Sequence, residues 1–244
     1  MSEITNKTYT SVILDMDGVV TQTALLHAEA WKQMFDAFLH ARNGEDFQPL
    51  IIDRDYKKYI DGIPRFDGVR NFLRSRGIQL SEGEYEDGAE KETIYGLGHR
   101  KNDIFRKMIA EKGAHVYEDA LAMLKKWKKE NVKLGIISSS RNCRPIIESA
   151  GISKYFDSRV DGVTLAEEDL PGKPEPDIFL KVCELLGVEA KETVIFEDSI
   201  AGIEAGKKGG FAKVIGVARQ GEAKELKEAG ADYVVEKLTE INNI

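Results

Sequence analysis

The sequence predicts an α/β protein with a doubly wound parallel-sheet core and a helical cap domain inserted after the first strand. Two observations predict the core: short apolar, β-branched runs recur along the chain, and helix-like segments lie between most of them. This alternation implies right-handed crossovers between parallel strands. A third observation predicts the insertion, because no clear core strand occurs between Val20 and about Phe105.

Five segments are predicted as strands of the core. They are Ser11–Leu14, Val132–Ile137, Thr193–Phe196, Lys213–Val217 and Tyr233–Val235. Each is short, apolar at most positions and bounded by residues that favour turns. Such runs are typical of strands that are buried on both faces of a parallel sheet.

Five core helices are predicted between or after these strands: Glu118–Glu130, Pro145–Ala150, Pro176–Leu186, Ile200–Lys208 and Glu222–Ala229. In the first helix, Leu121, Leu124 and Trp127 share one face, which is expected to pack inward. The basic cluster Lys125–Lys129 of that helix could bind nucleic acid. We instead interpret its lysines as the solvated face of an amphipathic helix.

The stretch without strands is interpreted as helical throughout. Its predicted helices are Leu25–Leu39, Asp53–Ile60, Asp67–Ser75 and Glu84–Leu97. We predict a cap domain of residues 23–103, with hinges near Thr21–Leu25 and near Lys101–Phe105. Residues 1–22 and 104–244 then form the core domain.

Composition limits the class of protein. The 244 residues allow one large domain or a core with a smaller partner domain, and 42% hydrophobic residues suffice for a packed interior. The formal net charge of −7 argues against a general binder of nucleic acid or of anionic membranes. The two cysteines, Cys143 and Cys183, give neither a disulfide framework nor zinc-site spacing, so we expect reduced, partly buried thiols.

No apolar run approaches the roughly 20 residues of a membrane span. The polar N-terminal segment also lacks the apolar stretch of a signal peptide. We therefore expect a soluble, cytoplasmic protein.

Two carboxylates follow the first predicted strand. Asp15 and Asp17 are spaced i, i+2 and precede Gly18. The spacing places both side chains on one side of the emerging chain, and doubly wound folds bind ligands where parallel strands end. The same Asp-Gly-Val sequence at Asp67 and Asp161 is expected to form ordinary turns or helix starts. Only the first copy follows a buried strand and a second aspartate, so we predict a functional role for it.

Polar groups also occur at three later turns or strand ends. Ser138 and Ser139 end the second strand, where they could cap the next helix or cradle a phosphate. Lys173 lies in a turn bracketed by prolines, although a lone lysine is usually a surface residue. Glu197 and Asp198 end another buried strand, where Asp198 could simply cap a helix.

Together these groups are more specific than any one of them. Carboxylate oxygens suit Mg²⁺, and lysine and hydroxyl donors suit phosphate oxygens. In order and context, Asp15–Asp17, Ser138, Lys173 and Glu197-Asp198 resemble the four motifs of the haloacid dehalogenase-like (HAD) superfamily, which has a Rossmann-like core. The resemblance covers nearly the whole chain and includes the helical insertion after the first motif.

Within that superfamily, the chain is most similar to the β-phosphoglucomutase-like group. The matching segments are Thr23–Trp31, Gly62–Arg65 and Arg100–Asp103 in the cap and Ser138–Asn142 in the core. Two positions depart from the group. Gln22 stands where relatives commonly carry an acidic residue, and Asp61 stands where the sugar mutases have lysine.

The resemblance implies a role for each core residue. Asp15 is the nucleophile that forms an aspartyl-phosphate, and Asp17 is the general acid and then the general base. Ser138, Ser139 and Lys173 bind the transferred phosphate.

The resemblance also implies a Mg²⁺ cofactor. Its ligands are the Asp15 carboxylate, the Asp17 backbone carbonyl and Asp198, with Glu197 beside them. Further residues are implied for binding the rest of the substrate: His27, Trp31, Arg65, Lys101, Arg141 and Asn142. For Arg65 and Lys101 the alternative is ordinary helix-surface charge, and Trp31 could instead be a core residue.

The acceptor of the phosphoryl group decides the reaction. A sugar hydroxyl makes the enzyme a phosphomutase, which we favour, and water makes it a phosphatase. The expected partner is a small phosphorylated metabolite, with no nucleic acid or membrane, and the expected assembly is a monomer. Two rivals from other classes fit less well: a receiver domain is shorter and has no cap, and a non-catalytic relative would lose some of Asp15, Asp17, Lys173 and Asp198.

Overall fold

The core of the protein is one parallel sheet. The computed structural model describes residues 9–219 and 221–241. In these residues the strands are β1 Ser11–Asp15, β2 Lys133–Ser138, β3 Ser158–Asp161, β4 Thr193–Glu197, β5 Lys213–Val217 and β6 Tyr233–Val235. They pair in parallel in the order β3-β2-β1-β4-β5-β6. The direction of winding reverses between β1 and β4, which confirms the predicted doubly wound sheet and places a ligand-binding crevice at their carboxyl ends.

Almost all of the helices were predicted from the sequence, but several of them begin or end at other residues than expected. In chain order they are α1 Ala24–Asn43, α2 Lys57–Tyr59, α3 Arg65–Ser75, α4 Ile94–Lys112, α5 Glu118–Lys129, α6 Cys143–Ser149, α7 Gly162–Glu167, α8 Asp177–Leu186, α9 Ile200–Lys208 and α10 Ala223–Glu228. One π-helical turn, Ile52–Tyr56, leads into α2. Short 3₁₀ turns cover Gly44–Asp46, Ser153–Tyr155, Ala190–Glu192 and Leu238–Glu240.

Helices α8, α9 and α10 bury apolar faces in one cluster with the sheet. Phe179 and Val182 of α8, Ile203 of α9 and Leu226 of α10 belong to it, together with Ile13 of β1. Because β1 has neighbours on both sides and helices on its faces, all five of its residues are buried. This explains why its sequence is a continuous apolar run rather than an alternating one.

The basic helix α5 is amphipathic, as predicted. Trp127 is 1% exposed, and its ring centroid lies 5.5 Å from that of Phe196 in β4. On the outer side, Lys128 pairs with Asp157 at 2.6 Å. The apolar face of α5 therefore packs against the core, and its lysines belong to a helix anchored by that face.

Strand β3 and helix α7 were not predicted. The strand has the sequence Ser-Arg-Val-Asp and lies at the edge of the sheet, so only Val160 gives an apolar signal. The Asp161 carboxylate accepts hydrogen bonds from the backbone amides of Val163 and Thr164, at 2.9 and 3.4 Å, and so caps α7. The third Asp-Gly-Val sequence is thus a helix start, as expected.

The chain divides into two units. One contains the residues up to Gln22 and those from His115 onward, and the other is residues 23–114. All residues of the second unit are described, and its regular structure is entirely helical. The predicted end of this segment at residue 103, with a hinge near Lys101–Phe105, is wrong. Helix α4 passes through that region and ends at Lys112, followed by Gly113, whose φ of +77° suits a helix terminus.

The predicted helix Glu84–Leu97 is also wrong over residues 84–93, because α4 begins only at Ile94. The Asp87 carboxylate accepts bonds from Lys91 Nζ at 2.6 Å, from Thr93 Oγ1 at 2.8 Å and from the Glu84 amide at 3.1 Å, which hold an irregular loop. Thr93 caps α4 by accepting a bond from the Gly96 amide at 3.0 Å. Local side-chain bonds to the backbone thus replace the expected helical ones.

The second unit has its own apolar core. Trp31 and Phe35 of α1, Phe72 of α3 and Leu97 of α4 lie in one buried cluster with Leu50. Elsewhere, both cysteines are free and buried, as expected for thiols outside a disulfide framework. Among residues 9–219 and 221–241, no helix has the length and apolar character that crossing a bilayer would require.

Candidate active site

Three carboxylates meet where β1 and β4 end. These strands are neighbours and run in parallel, with Leu14 opposite Phe196, so the residues that follow emerge at the same edge of the sheet. One oxygen from each of Asp15, Glu197 and Asp198 lies within 4.8 Å of the others. An all-oxygen donor set of this kind fits a hard divalent cation such as Mg²⁺.

Lys173 lies between two of these carboxylates. Its Nζ donates to Asp15 Oδ1 at 2.6 Å and also to Glu197 Oε1, and the residue is only 3% exposed. A lone lysine is usually exposed at the surface, but Lys173 is buried. Buried ion pairs are tolerated when each charge is paired and hydrogen-bonded, and this ammonium meets that condition.

The Glu197 carboxylate is held by the start of α9. Its Oε2 accepts from the Ser199 amide at 2.7 Å and from Ser199 Oγ at 2.9 Å. A Cβ on Gly202 would lie 1.9 Å from the Glu197 carboxyl carbon, so this approach requires glycine. Ser199 is the N-cap of α9 and accepts from the Gly202 amide at 3.1 Å. The capping role considered for Asp198 therefore belongs to Ser199.

Asp17 and Ser138 meet across the β1–β2 edge. Ser138 Oγ donates to Asp17 Oδ2 at 2.8 Å, and the Asp17 amide donates to Asp15 Oδ2 at 2.9 Å. The Ser140 amide in turn donates to Ser138 Oγ at 3.1 Å. The Asp17 carboxylate thus faces the serine loop, and the orientation of Asp15 is set by bonds to both of its oxygens.

The loop after β1 is a tight turn. Gly18 has a φ of +84°, a conformation that favours glycine, and its amide donates to the Thr21 carbonyl at 2.8 Å. The Thr21 amide and hydroxyl both donate to the Met16 carbonyl, at 2.8 and 3.0 Å. This loop therefore fixes the backbone on both sides of Asp17.

The pKa values of Asp15 and Lys173 reflect how closely these buried charged groups lie together. Burial raises the pKa of Asp15 well above its usual range, Lys173 opposes that shift, and Glu197 and Asp17 add to it. Burial alone would lower the pKa of Lys173, but the Asp15 and Glu197 carboxylates outweigh it and raise that pKa. The lysine therefore stays charged, in surroundings richer in negative than in positive groups.

Two further predicted residues, Arg141 and Asn142, lie in the loop between β2 and α6. The Asn142 amide donates to Ser140 Oγ at 3.2 Å. A Cβ on Gly162 would lie 2.5 Å from the Ser139 carbonyl and 3.1 Å from the Arg141 amide, so the loop packs tightly against the start of α7. Ser139, Arg141 and Asn142 therefore share the carboxyl edge of the sheet with Ser138.

The other predicted substrate contacts lie in the helical unit and form two groups there. Lys101 Nζ lies 2.6 Å from His27 Nδ1 and 5.0 Å from the centroid of the Trp31 ring. An ammonium can only donate, so His27 Nδ1 accepts. Separately, Arg65 Nη2 donates to Asn102 Oδ1 at 2.7 Å. Trp31 is 4% exposed and stacks on Phe35, which matches its alternative interpretation as a core residue.

The sequence-based interpretation missed Ser199 and Gly202 as parts of the site. Both act through Glu197, one as donor and one by leaving space. A signal existed for Ser199, because a serine between a strand and a helical segment is a favoured N-cap, but no local pattern pointed to Gly202. The capping role had been considered for the preceding aspartate instead.

Comparison with known proteins identifies the family. A model of haloacid dehalogenase-like hydrolases matches residues 9–210. The chain belongs to this family. A β-phosphoglucomutase from Mycobacterium bovis is 44% identical over 235 residues, covering 94% of this chain and 90% of that protein. A phosphorylated carbohydrates phosphatase from Thermotoga maritima is 29% identical, covering 96% and 97%.

Solved structures agree with this assignment. The crystal structure of a β-phosphoglucomutase from Clostridium difficile matches with a TM-score of 0.76 at 26% identity, covering 96% of this chain and 94% of that one. The predicted HAD fold and the resemblance to the β-phosphoglucomutase-like group are thereby confirmed. The chain is an enzyme of that group.

We expect Lys173→Met to destabilise the protein strongly. Without the ammonium, the buried Asp15 and Glu197 carboxylates face each other unpaired, and breaking a buried pair in this way costs about 3–5 kcal/mol. The measurement is urea unfolding at pH 7, followed by circular dichroism.

Lys181→Met is the matched control, because Lys181 pairs with Glu168 and Glu184 at the surface and its loss should change little. Adding Glu197→Gln to Lys173→Met should recover part of the lost stability. If both lysine variants lose the same small amount, Lys173 does not neutralise the cluster.

Proposed function

We propose that this HAD-family enzyme is a Mg²⁺-dependent phosphomutase that transfers a phosphoryl group through an aspartyl-phosphate on a small phosphorylated sugar. One observation carries the proposal: Lys173 bridges Asp15 and Glu197 in a buried cluster, and Asp17 is held beside it by Ser138. The relative from Mycobacterium bovis, a β-phosphoglucomutase, supports the reaction class.

Asp15 acts as the nucleophile. One of its oxygens attacks phosphorus, an O–P bond forms, and the bond to the leaving oxygen breaks on the opposite side. Bonds from Lys173 and from the Asp17 amide restrict the carboxylate to one orientation before attack. Lys173 also supplies a fixed positive charge, so the approach of a dianionic phosphate to a carboxylate is less unfavourable.

Asp17 acts as the acid and then as the base. It gives its proton to the leaving oxygen, and in the second step it takes a proton from the hydroxyl that attacks the aspartyl-phosphate. Ser138 Oγ, 2.8 Å from Asp17 Oδ2, orients this carboxyl group towards the reacting edge of the sheet. Ser139 also offers a donor for the phosphate oxygens, and Ser138 does so when its single hydroxyl proton is turned from Asp17 to the phosphate.

The donor set supports a Mg²⁺ site. Asp15, Glu197 and Asp198 supply three carboxyl groups against the single ammonium of Lys173, and their oxygens converge within 4.8 Å. Asp15, Asp198 and the Asp17 carbonyl would hold the ion, with Glu197 beside them. When bound, the ion screens the negative charge of the phosphoryl group and of its nucleophile.

The acceptor separates two candidate reactions. In the mutase, a sugar hydroxyl attacks the aspartyl-phosphate, and the bisphosphate formed must bind in two orientations. Arg65 and Lys101 in the helical unit, with Arg141 and Asn142 in the core, are proposed to bind the distal phosphate or the sugar. The second candidate is a sugar phosphatase, favoured by the acidic Asp61 and by the relative from Thermotoga maritima.

We expect Asp15→Asn to abolish turnover without unfolding the protein. An amide cannot form the acyl phosphate and is a weaker ligand for a hard cation. The wild-type protein should form an adduct with beryllofluoride, detected by ¹⁹F NMR, and the variant should not. Near-native activity in this variant would remove Asp15 as the nucleophile.

Asp198→Ala should raise the Mg²⁺ concentration needed for half-maximal activity, because one hard oxygen ligand is lost. The measurement is a Mg²⁺ titration of p-nitrophenyl phosphate hydrolysis. Ser199→Ala is the comparison variant, since it removes the α9 cap but no proposed ligand. An unchanged Mg²⁺ requirement in Asp198→Ala would exclude it as a ligand.

Arg65→Ala should reduce kcat/KM for β-glucose 1-phosphate, supplied with a trace of the 1,6-bisphosphate, by about ten- to a hundredfold. A hydrogen bond to a charged group is worth about 1.5–3 kcal/mol. Hydrolysis of p-nitrophenyl phosphate, which has no distal phosphate, should change little.

Arg70→Ala is the control, because Arg70 lies on the same helix and pairs with Asp67 and Glu82. The assay scores glucose 6-phosphate and inorganic phosphate together. The phosphatase replaces the mutase if the wild type makes no glucose 6-phosphate and Arg65→Ala affects both substrates equally.

A further inference from the structure

Arg219 lies outside the groups discussed so far, yet its side chain reaches the loop that carries Asp17. The residue follows β5 by two positions, and its side chain is 9% exposed. Its Nη2 donates to the Val19 carbonyl at 3.0 Å. Val19 is fully buried and lies between Gly18 and Thr21, the two residues that close the turn after β1.

The guanidinium is anchored on its other side. Nη1 donates to both oxygens of Asp119 at 3.0 Å and to the Glu236 carbonyl at 2.9 Å. The guanidinium carbon also lies 3.9 Å from the centroid of the Tyr117 ring. Asp119 is itself tied to the C-terminal segment, because its Oδ2 accepts from the Leu238 amide at 2.7 Å.

The segment under the guanidinium pairs with the same loop. The Tyr117 amide donates to the Val20 carbonyl at 3.0 Å, and Thr21 and Val116 form an antiparallel bridge. The segment 116–117 therefore pairs with Val20 and Thr21, and Arg219 bonds the Val19 carbonyl. The ion pair with Asp119 would hold Arg219 without this last bond, so the contact with the loop is an additional constraint.

We infer that Arg219 is a positioning residue: through the Val19 carbonyl it holds the loop after β1 so that Asp17 keeps its place beside Asp15. The inference rests on the proposed role of Asp17. A planar group with several fixed donors is needed to bond a carboxylate and two carbonyls while stacking on a ring, and lysine cannot do this. Small displacements of a catalytic group cost rate rather than binding.

The substrate's leaving group gives a specific readout. A sugar oxygen must be protonated as it departs, so its release depends on the acid, whereas nitrophenolate departs without a proton. The value of kcat/KM covers the steps up to departure of the leaving group. A displaced Asp17 therefore reduces kcat/KM for glucose 1,6-bisphosphate but spares p-nitrophenyl phosphate, whereas general loss of structure reduces both.

The experiment compares Arg219→Met with wild type on these two substrates. We expect kcat/KM to fall about ten- to a hundredfold for the bisphosphate and less than about threefold for p-nitrophenyl phosphate. Asp17→Asn should also lose more kcat/KM for the bisphosphate than for p-nitrophenyl phosphate, and by a larger factor. Lys133→Met is the matched control, because it also removes a lysine-type bond to a backbone carbonyl: Lys133 Nζ donates to the Leu186 carbonyl at 2.7 Å. Lys133 is the first residue of β2, whereas Ser138 is the last, so this variant should change kcat/KM for neither substrate.

Equal losses on both substrates, or no loss, would overturn the inference. If circular dichroism shows that Arg219→Met is unfolded, Arg219→Lys decides in the same way, because it keeps the charge near Asp119 but not all the bonds. Failure of the proposed function is recognised separately, since Asp15→Asn would then keep its activity. If Asp15→Asn and Asp17→Asn behave as proposed and only the Arg219 variants lose both substrates equally, the inference alone fails.

Discussion

The bridge from Lys173 to Asp15 and Glu197 is the interaction on which the rest of the site depends. It joins the ends of two neighbouring strands to a turn that comes from elsewhere in the chain, and all three side chains are buried. Buried charges are unfavourable unless every partner is placed accurately. The start of α9 helps to meet this requirement, because Ser199 and Gly202 set the position of Glu197.

The same bridge leaves the site electrostatically incomplete. One ammonium faces three carboxylates whose oxygens converge, so these groups favour additional positive charge. The cluster therefore favours a hard cation, and the approach of an anion would depend on Lys173 and on such a cation rather than on the carboxylates.

The groups proposed to perform chemistry are kept in place by contacts within the core unit. Asp15, Asp17 and Ser138 bond to one another and to core backbone. In the helical unit, Lys101 is held by His27 and Arg65 by Asn102. Each unit therefore orders its own polar groups through contacts within that unit.

Sequence patterns predicted what depends on local periodicity and on known motifs. The strands that are buried on both faces, such as β1, were recognised because their central positions form a continuous apolar run, Val12–Leu14 in β1. Edge strand β3 was missed because a strand with one neighbour needs little apolar surface. The start of α4 was misplaced because Asp87 and Thr93 redirect backbone bonds that periodicity cannot reveal. Arg219 gave no signal, since its contact with Val19 joins residues 200 positions apart.

The points where the chain leaves and re-enters the core unit lie side by side, because the Gln22 amide donates to the His115 carbonyl at 2.8 Å. The entropy cost of closing a segment whose ends meet grows only slowly with the length of the segment. Such a junction tolerates exchange of the intervening sequence, as surface insertion points in domains generally do. Residues 23–114 thus form a cassette that recombination can replace in a single event while the junction stays paired.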